Sequence, residues 1–125
     1  MIFKRRLRDP DMKILVVDDD VDFADGMAEM LALFGHDVNT AYSCEDAIAA
    51  AGKQEFELVL IDVGLADRNG AECARDLKNL REAVTCVLMT GYSADALAKM
   101  GVPAGEFDIL RKPVKPEDLA QYLKD

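Results

Sequence analysis

Four short runs rich in β-formers recur along the chain: Ile14-Leu15-Val16-Val17, Leu58-Val59-Leu60-Ile61, Val84-Thr85-Cys86-Val87-Leu88-Met89 and Phe107-Asp108-Ile109-Leu110-Arg111. Continuous rather than alternating hydrophobicity marks strands whose two faces are both covered, as in a parallel sheet. Residues 38–42 read as a further short strand. Between the runs the period changes to that of a helix. Phe23, Met27, Met30, Leu31 and Phe34 share one helical face, and Gly35 is placed to stop it. Ser43 followed by Asp46 resembles a capping arrangement ahead of Ala47, Ile48 and Ala51. A third helix is predicted over residues 71–80 with Cys73, Leu77 and Leu80 inward, and a fourth over 93–100, cut short by Gly101 and Pro103. The last begins at Lys115-Pro116-Glu117-Asp118, with Leu119, Tyr122 and Leu123 inward. Five successive β-α units with right-handed crossovers predict an α/β protein built on a doubly wound, five-stranded parallel sheet.

With 125 residues, half of them apolar, the chain supports one domain with a real core. No stretch approaches the roughly 20 apolar residues of a membrane span, and the first residues lack the apolar centre of a secretion signal. A cytoplasmic location is expected. The net charge of -9 is uneven: residues 1–11 hold Lys4, Arg5, Arg6 and Arg8 against Asp9 and Asp11, so the remainder carries -11. Residues 1–11 read as an extension or linker and 12–125 as the domain. An acidic body repels nucleic acid phosphates, which argues against direct nucleic acid binding. Cys44, Cys73 and Cys86 are odd in number and form no CxxC spacing, arguing against a disulfide framework and a zinc site; they are expected to be buried or half-buried thiols. His36 is the only histidine, which excludes a two-histidine metal centre, and it reads as a turn residue between Gly35 and Asp37.

The chemistry-bearing residues fall where the runs end. Asp18, Asp19, Asp62, Thr90 and Lys112-Pro113 each stand at the carboxyl end of one, and ligands of open α/β sheets bind in the crevice at that edge. Singly each has an ordinary reading, as cap, turn or loop residue, and Asp20 is expected to cap the first helix. Jointly, acids, hydroxyl and cation at one edge point to phosphoryl transfer. Adjacent carboxylates need a counter-charge, and Mg2+ is bound through one or two carboxylates, a carbonyl and waters. Beside such an ion Asp62 is a candidate nucleophile. Gly64 lets its backbone carbonyl approach as a ligand, Thr90 and the Gly91 N–H can donate to phosphoryl oxygens, and Lys112 supplies a point charge. A cis Lys112–Pro113 bond, aiming the lysine inward, is also expected.

These residues resemble the receiver domain of two-component response regulators, a family related to the chemotaxis response regulator. The resemblance covers residues 12–124. It rests on Ile14-Leu15-Val16-Val17-Asp18-Asp19-Asp20, on Leu58-Val59-Leu60-Ile61-Asp62 with Gly70 eight residues on, on Met89-Thr90-Gly91 and on Lys112-Pro113. It implies a flavodoxin-like (βα)5 fold in which Asp62 accepts a phosphoryl group from a phosphohistidine on a sensor histidine kinase or histidine phosphotransfer protein. Asp19, Asp62 and the Gly64 carbonyl would hold Mg2+, with Mn2+ as a substitute; Asp18 would act on the ion through a water, and Thr90 and Lys112 would bind phosphoryl oxygens. The chain would be a stand-alone regulator or the receiver of a hybrid kinase, with its downstream partner unspecified.

Two positions depart from the family pattern. Ala66 stands where proline is usual in the loop after the acceptor, and Ile109 where an aromatic switch residue is common three residues before the lysine. The route from site to surface is therefore expected to differ from the usual coupling of threonine movement to aromatic rotation. Tyr92, two residues beyond Thr90, is expected to gate access to Asp62 in part. Two alternatives stand beside this reading: a receiver-like module that binds a partner without phosphorylation, and a Mg2+-dependent phosphatase with an aspartyl intermediate.

Overall fold

In the computed structural model, residues 12–123 are described. Their elements alternate strictly: β1 (Lys13–Val17), α1 (Val21–Leu33), β2 (Asp37–Ala41), α2 (Cys44–Lys53), β3 (Leu58–Asp62), α3 (Gly70–Leu80), β4 (Thr85–Thr90), α4 (Ala94–Lys99), β5 (Asp108–Arg111) and α5 (Pro116–Leu119), the last running into a 3-10 turn over Ala120–Tyr122. The strands form one parallel sheet in the order β2-β1-β3-β4-β5. The doubly wound, flavodoxin-like topology read from the sequence is therefore the one adopted. The extension expected at residues 1–11 lies outside the described residues.

Each central strand divides its side chains between two cores, which explains the uninterrupted apolar runs. Leu15, Val17, Val59, Ile61 and Leu88 pack with α2, α3 and α4, through Ala47, Ala51, Ala74, Leu77 and Leu97. On the opposite face Ile14, Val16, Leu58, Leu60, Val87, Met89 and Leu110 pack with α1 and α5, through Ala24, Met27, Leu31 and Leu119. A fully buried Leu or Ile contributes about 1.5–3 kcal/mol, so a one-residue slip of any central strand would exchange its two side-chain sets between cores of different shape.

The caps follow the sequence closely. Asp20 accepts from the Phe23 N–H at 3.2 Å, and Ser43 accepts from the Asp46 N–H at 3.1 Å. Gly35, at φ 99°, ends α1: its N–H bonds Ala32 O, and the His36 N–H bonds Leu31 O. The same paired closure ends α4 at Gly101, φ 82°, where the Val102 N–H returns to Leu97 O. His36 thus occupies a turn as expected, although it is buried.

Three expectations need correction. Phe34 is exposed, and Ala24 takes the inward place on α1, because Phe34 is the C-cap residue beyond the last helical turn. Leu80, the last residue of α3, is exposed as well. Cys44 and Cys73 are not free thiols: they form a disulfide with a Cα–Cα distance of 5.8 Å. An odd cysteine count carries no information about which two residues the fold brings together across 29 positions. Cys86 is the free, buried thiol, and burial pushes its pKa up to about 11.

Candidate functional site

The sheet order puts the carboxyl ends of β1 and β3 side by side at the point where the chain reverses its winding. Val17 pairs with Ile61, so Asp18, one residue beyond β1, comes level with Asp62, the last residue of β3. Asp62 in turn pairs with Met89, and Thr90 with Arg111. One more residue along β5 brings Lys112 to the same edge, where its N–H bonds Thr90 O at 2.9 Å. The Lys112–Pro113 bond is cis, as expected.

Carboxylate oxygens of Asp18, Asp19 and Asp62 lie within 4.8 Å of one another. Asp18 is almost wholly buried, Asp62 half-buried and Asp19 exposed, so the cluster has a floor and an opening. Lys112 Nζ lies 2.7 Å from Asp18 Oδ2 and 2.8 Å from Asp62 Oδ1, and also 4.3 Å from the centre of the Phe23 ring. Part of the counter-charge that the sequence assigned to a metal is thus supplied by the lysine, yet three carboxylates against one ammonium still leave an excess of negative charge.

Burial is the main reason the pKa of Asp62 is raised; the Lys112 hydrogen bond opposes it and the charge of Asp18 adds to it. At Lys112 burial works downward, but the hydrogen bonds and charges of Asp18 and Asp62 outweigh it and the net shift is upward. The two directions belong together. The lysine gains from two anions, whereas Asp62 shares one cation with a like-charged neighbour.

The loop after Asp62 is held on several sides. The Gly64 N–H donates to Asp62 Oδ2 at 3.1 Å, and the Gly70 N–H donates to Val63 O at 2.8 Å. A Cβ at Gly70 would stand 2.3 Å from the Asp62 carbonyl oxygen and 2.8 Å from Val63 Cα, which only glycine avoids. Asp67 carboxylate oxygens accept from the N–H groups of Cys44 and Glu45 at the start of α2, both at 3.1 Å. Asn69 caps α3 by accepting from the Ala71 N–H at 2.7 Å, and donates from Nδ2 to Met100 O at 2.6 Å. These supports escaped the sequence reading, although an Asn directly before a helical run was a readable cap signal.

Thr90 is buried, and its hydroxyl oxygen accepts from the Tyr92 N–H at 2.9 Å, leaving the hydroxyl proton free to donate elsewhere. Tyr92 is exposed, and its ring leans over Gly64: a Cβ there would lie 3.5 Å from Asp62 Oδ2 and 3.6 Å from the tyrosine ring. Arg111 donates to the Tyr92 carbonyl, tying the β4–α4 loop to β5. Ile109 is half-buried against the core that includes α4, with no polar group to exchange partners.

Residues 14–124 match the family model of the response regulator receiver domain. The transcriptional regulatory protein ZraR of Salmonella typhimurium is 36% identical over 111 residues, covering 89% of this chain and 25% of that protein. The acid tolerance regulatory protein ActR of Rhizobium meliloti is 31% identical over 114 residues, 91% of this chain and 59% of its own length. This chain therefore spans about a quarter of the first of these relatives and under two thirds of the second. Among solved structures, a response regulator protein from Burkholderia pseudomallei, holding a phosphorylated aspartic acid, a calcium ion and citrate, superposes with a TM-score of 0.79 at 30% identity, over 91% of this chain and 67% of that one. A receiver domain protein from Methanospirillum hungatei gives 0.76 at 28% identity, with 89% of both chains covered.

Proposed function

The chain belongs to the response regulator receiver domain family of two-component signalling, and from that premise we propose that Asp62 is its phosphoacceptor, served by Asp18, Asp19, Gly64, Thr90 and Lys112. The observation that carries this reading is the shared Lys112 contact: one ammonium within 2.8 Å of both Asp18 and Asp62, beside a third carboxylate open to solvent. In the transfer, an Asp62 oxygen attacks the phosphorus of a phosphohistidine, a P–O bond forms, the P–N bond breaks, and the electron pair leaves with the imidazole. Lys112 turns from the carboxylates to the incoming phosphoryl oxygens, and Thr90 donates its hydroxyl proton to another. Gly64, lacking a side chain, keeps the approach beside Asp62 open.

An all-oxygen donor set with excess negative charge and one exposed member fits a hard divalent cation. Asp19, Asp62 and the Gly64 carbonyl would hold Mg2+ or Mn2+, with Asp18 behind them. When bound, the ion would neutralise charge on the transferred group.

The donor is a phosphohistidine on a sensor histidine kinase or a phosphotransfer protein. Met27, Met30 and Val114 line a groove that opens beside Phe23, whose ring contacts Lys112; it supports docking of an apolar partner surface next to the acceptor. The net charge of -9 disfavours nucleic acid at this domain. Among the described residues no helix is long and apolar enough to cross a membrane, and the cytoplasmic location expected from the sequence belongs to this proposal.

The test is to supply Mg2+ and a small phosphodonor and follow the mass of the intact chain. One phosphoryl adduct, absent from Asp62→Asn, is the expected result. No adduct on the native chain would favour partner binding without phosphorylation, a reading the apolar Ile109 supports, while steady turnover of phosphoesters would favour a phosphatase.

A further inference from the structure

The Cys44–Cys73 bond takes no part in phosphoryl transfer, yet it joins the two structures that hold the acceptor loop. Cys44 is the first residue of α2, and its N–H donates to Asp67 in that loop. Cys73 lies in the first turn of α3, which starts directly after the loop at Gly70. Both cysteines are fully buried, in the same core cluster as Val63, Leu65 and Ala71 from the loop and its exit. The bond thus clamps α2 to α3, Asp67 bonds the loop to the start of α2, and Leu65 packs into the core they share, with Gly64 and Asp62 at the start of the loop.

We propose that Cys44 and Cys73 form a reversible redox centre that sets how firmly the loop of residues 63–70 is held, and through it how readily Asp62 accepts a phosphoryl group. The second half of this statement rests on Asp62 being the acceptor. With the bond closed, the first turn of α2 cannot draw away from α3, and Asp67 keeps its two N–H donors in place. With the bond open, the two thiols lose their covalent contact and need more room than the bonded pair takes up in the packed core around them. The first turn of α2 then separates from α3, Asp67 loosens, and Gly64 must be ordered each time the site is used. In compartments that keep thiols reduced, a disulfide is more often catalytic or redox-sensing than a permanent staple.

The exchange balances with a small-molecule disulfide as oxidant. When the first turn of α2 opens locally and uncovers the fully buried pair, one protein thiolate attacks a glutathione disulfide sulfur and expels a glutathione thiolate. The second cysteine resolves the mixed disulfide and expels another, and the two protons lost by the protein thiols end on the two glutathiones. A dithiol drives the reverse reaction. Cys86, buried between β4 and α3 with Sγ 3.9 Å from Ala74 O, lies outside the pair and takes the label in both states.

The native chain, equilibrated without denaturant in glutathione disulfide or in dithiothreitol, is denatured, alkylated and weighed. One labelled cysteine after oxidation and three after reduction are expected, from the three in the sequence and the single bond. Amide exchange at residues 44–45 and 63–70 should quicken on reduction, and acceptance from a small phosphodonor in Mg2+ should slow by about fivefold, the lower end of common coupling between sites. The double variant Cys44→Ser/Cys73→Ser should match the reduced form and ignore redox state; if it folds poorly, Cys73→Ala replaces it. The same label count in both conditions overturns the proposal, and so does unchanged amide exchange. Altered exchange with unaltered phosphoryl acceptance overturns the link to the site. If neither state takes a phosphoryl group, the phosphoacceptor reading fails instead, and the label count and amide exchange still judge the redox centre.

Discussion

At the carboxyl edge between β1 and β3 the charged groups follow strands whose residues are buried from Ile14 to Val17 and from Leu58 to Ile61, whereas on the flank of α4, β5 and α5 the elements are four to six residues long and largely exposed. The edge is held by the sheet register, by glycine's close approach and by a lysine shared between two acids. The flank is held by individual polar contacts: Asn69 to Met100 O, Arg75 to Glu106 and Gly101 O, Arg111 to the Tyr92 carbonyl, and Tyr122 Oη to Asp108 at 2.9 Å. A site that must place charge precisely is anchored in the least deformable part of the fold. The flank, by contrast, can move with few contacts to break.

The strongest way to break this contrast is Gly70→Ala. A methyl group 2.3 Å from the Asp62 carbonyl has no flexible neighbour to displace, so a loss of about 3 kcal/mol is expected, read as a lower urea midpoint together with loss of the phosphoryl adduct. Next comes Lys112→Met, which leaves Asp18 and Asp62 facing each other without a cation. The cost should be about 2 kcal/mol, below that of a fully buried pair because the lysine is partly solvated. Added Mg2+ should recover part of it in thermal melts; melts that ignore Mg2+ would count against a cation site there.

Acid should separate the loop from the rest of the edge. The Cys44 N–H above all holds the Asp67 pKa below its usual value; slight burial opposes this, and the Glu45 N–H supports it. A carboxylate depressed in the folded state contributes stability above its unfolded value, and that contribution disappears as pH falls through the folded value. Amide exchange at Cys44 and Glu45 should therefore quicken in this acidic window in the native chain, and should lack that step in Asp67→Ala.

The smallest effects belong to the flank. Arg111→Met should stay within about 0.5 kcal/mol of the native chain and keep the adduct, while exchange at residues 91–93 increases. Tyr122→Phe, losing one exposed hydrogen bond, should cost about 0.5 kcal/mol; its hydroxyl pKa, raised to about 12 mainly by burial and then by Asp108, is the spectroscopic handle that confirms the contact. A flank variant that abolished the adduct would erase the distinction between the two regions.

Ile109 shows how far a sequence reading reaches here. Its apolar character is plain in the chain, but that Arg111 bridges to the Tyr92 carbonyl follows only from the pairing of β4 with β5. Asp18, Asp62, Thr90 and Lys112 were legible together because each ends a run whose hydrophobicity is a local property. Asp67 was not, since its partners lie on α2 at Cys44 and Glu45, and of Asn69 only the cap on α3 was readable, not its bond to Met100 O.

Periodicity, caps and residue type at strand ends determined by themselves the five β-α units, the doubly wound sheet and the chemistry gathered at one edge, because each depends on neighbours within a turn or a strand. The Cys44–Cys73 bond, the sharing of Lys112 between two acids and the exact closeness of Gly70 to Asp62 were decided by tertiary structure alone. They depend on how α2 and α3 pack side by side on one face of the sheet and on how the ends of β1, β3 and β5 line up at its edge, and no local pattern in the chain encodes a distance between residues that meet only after folding.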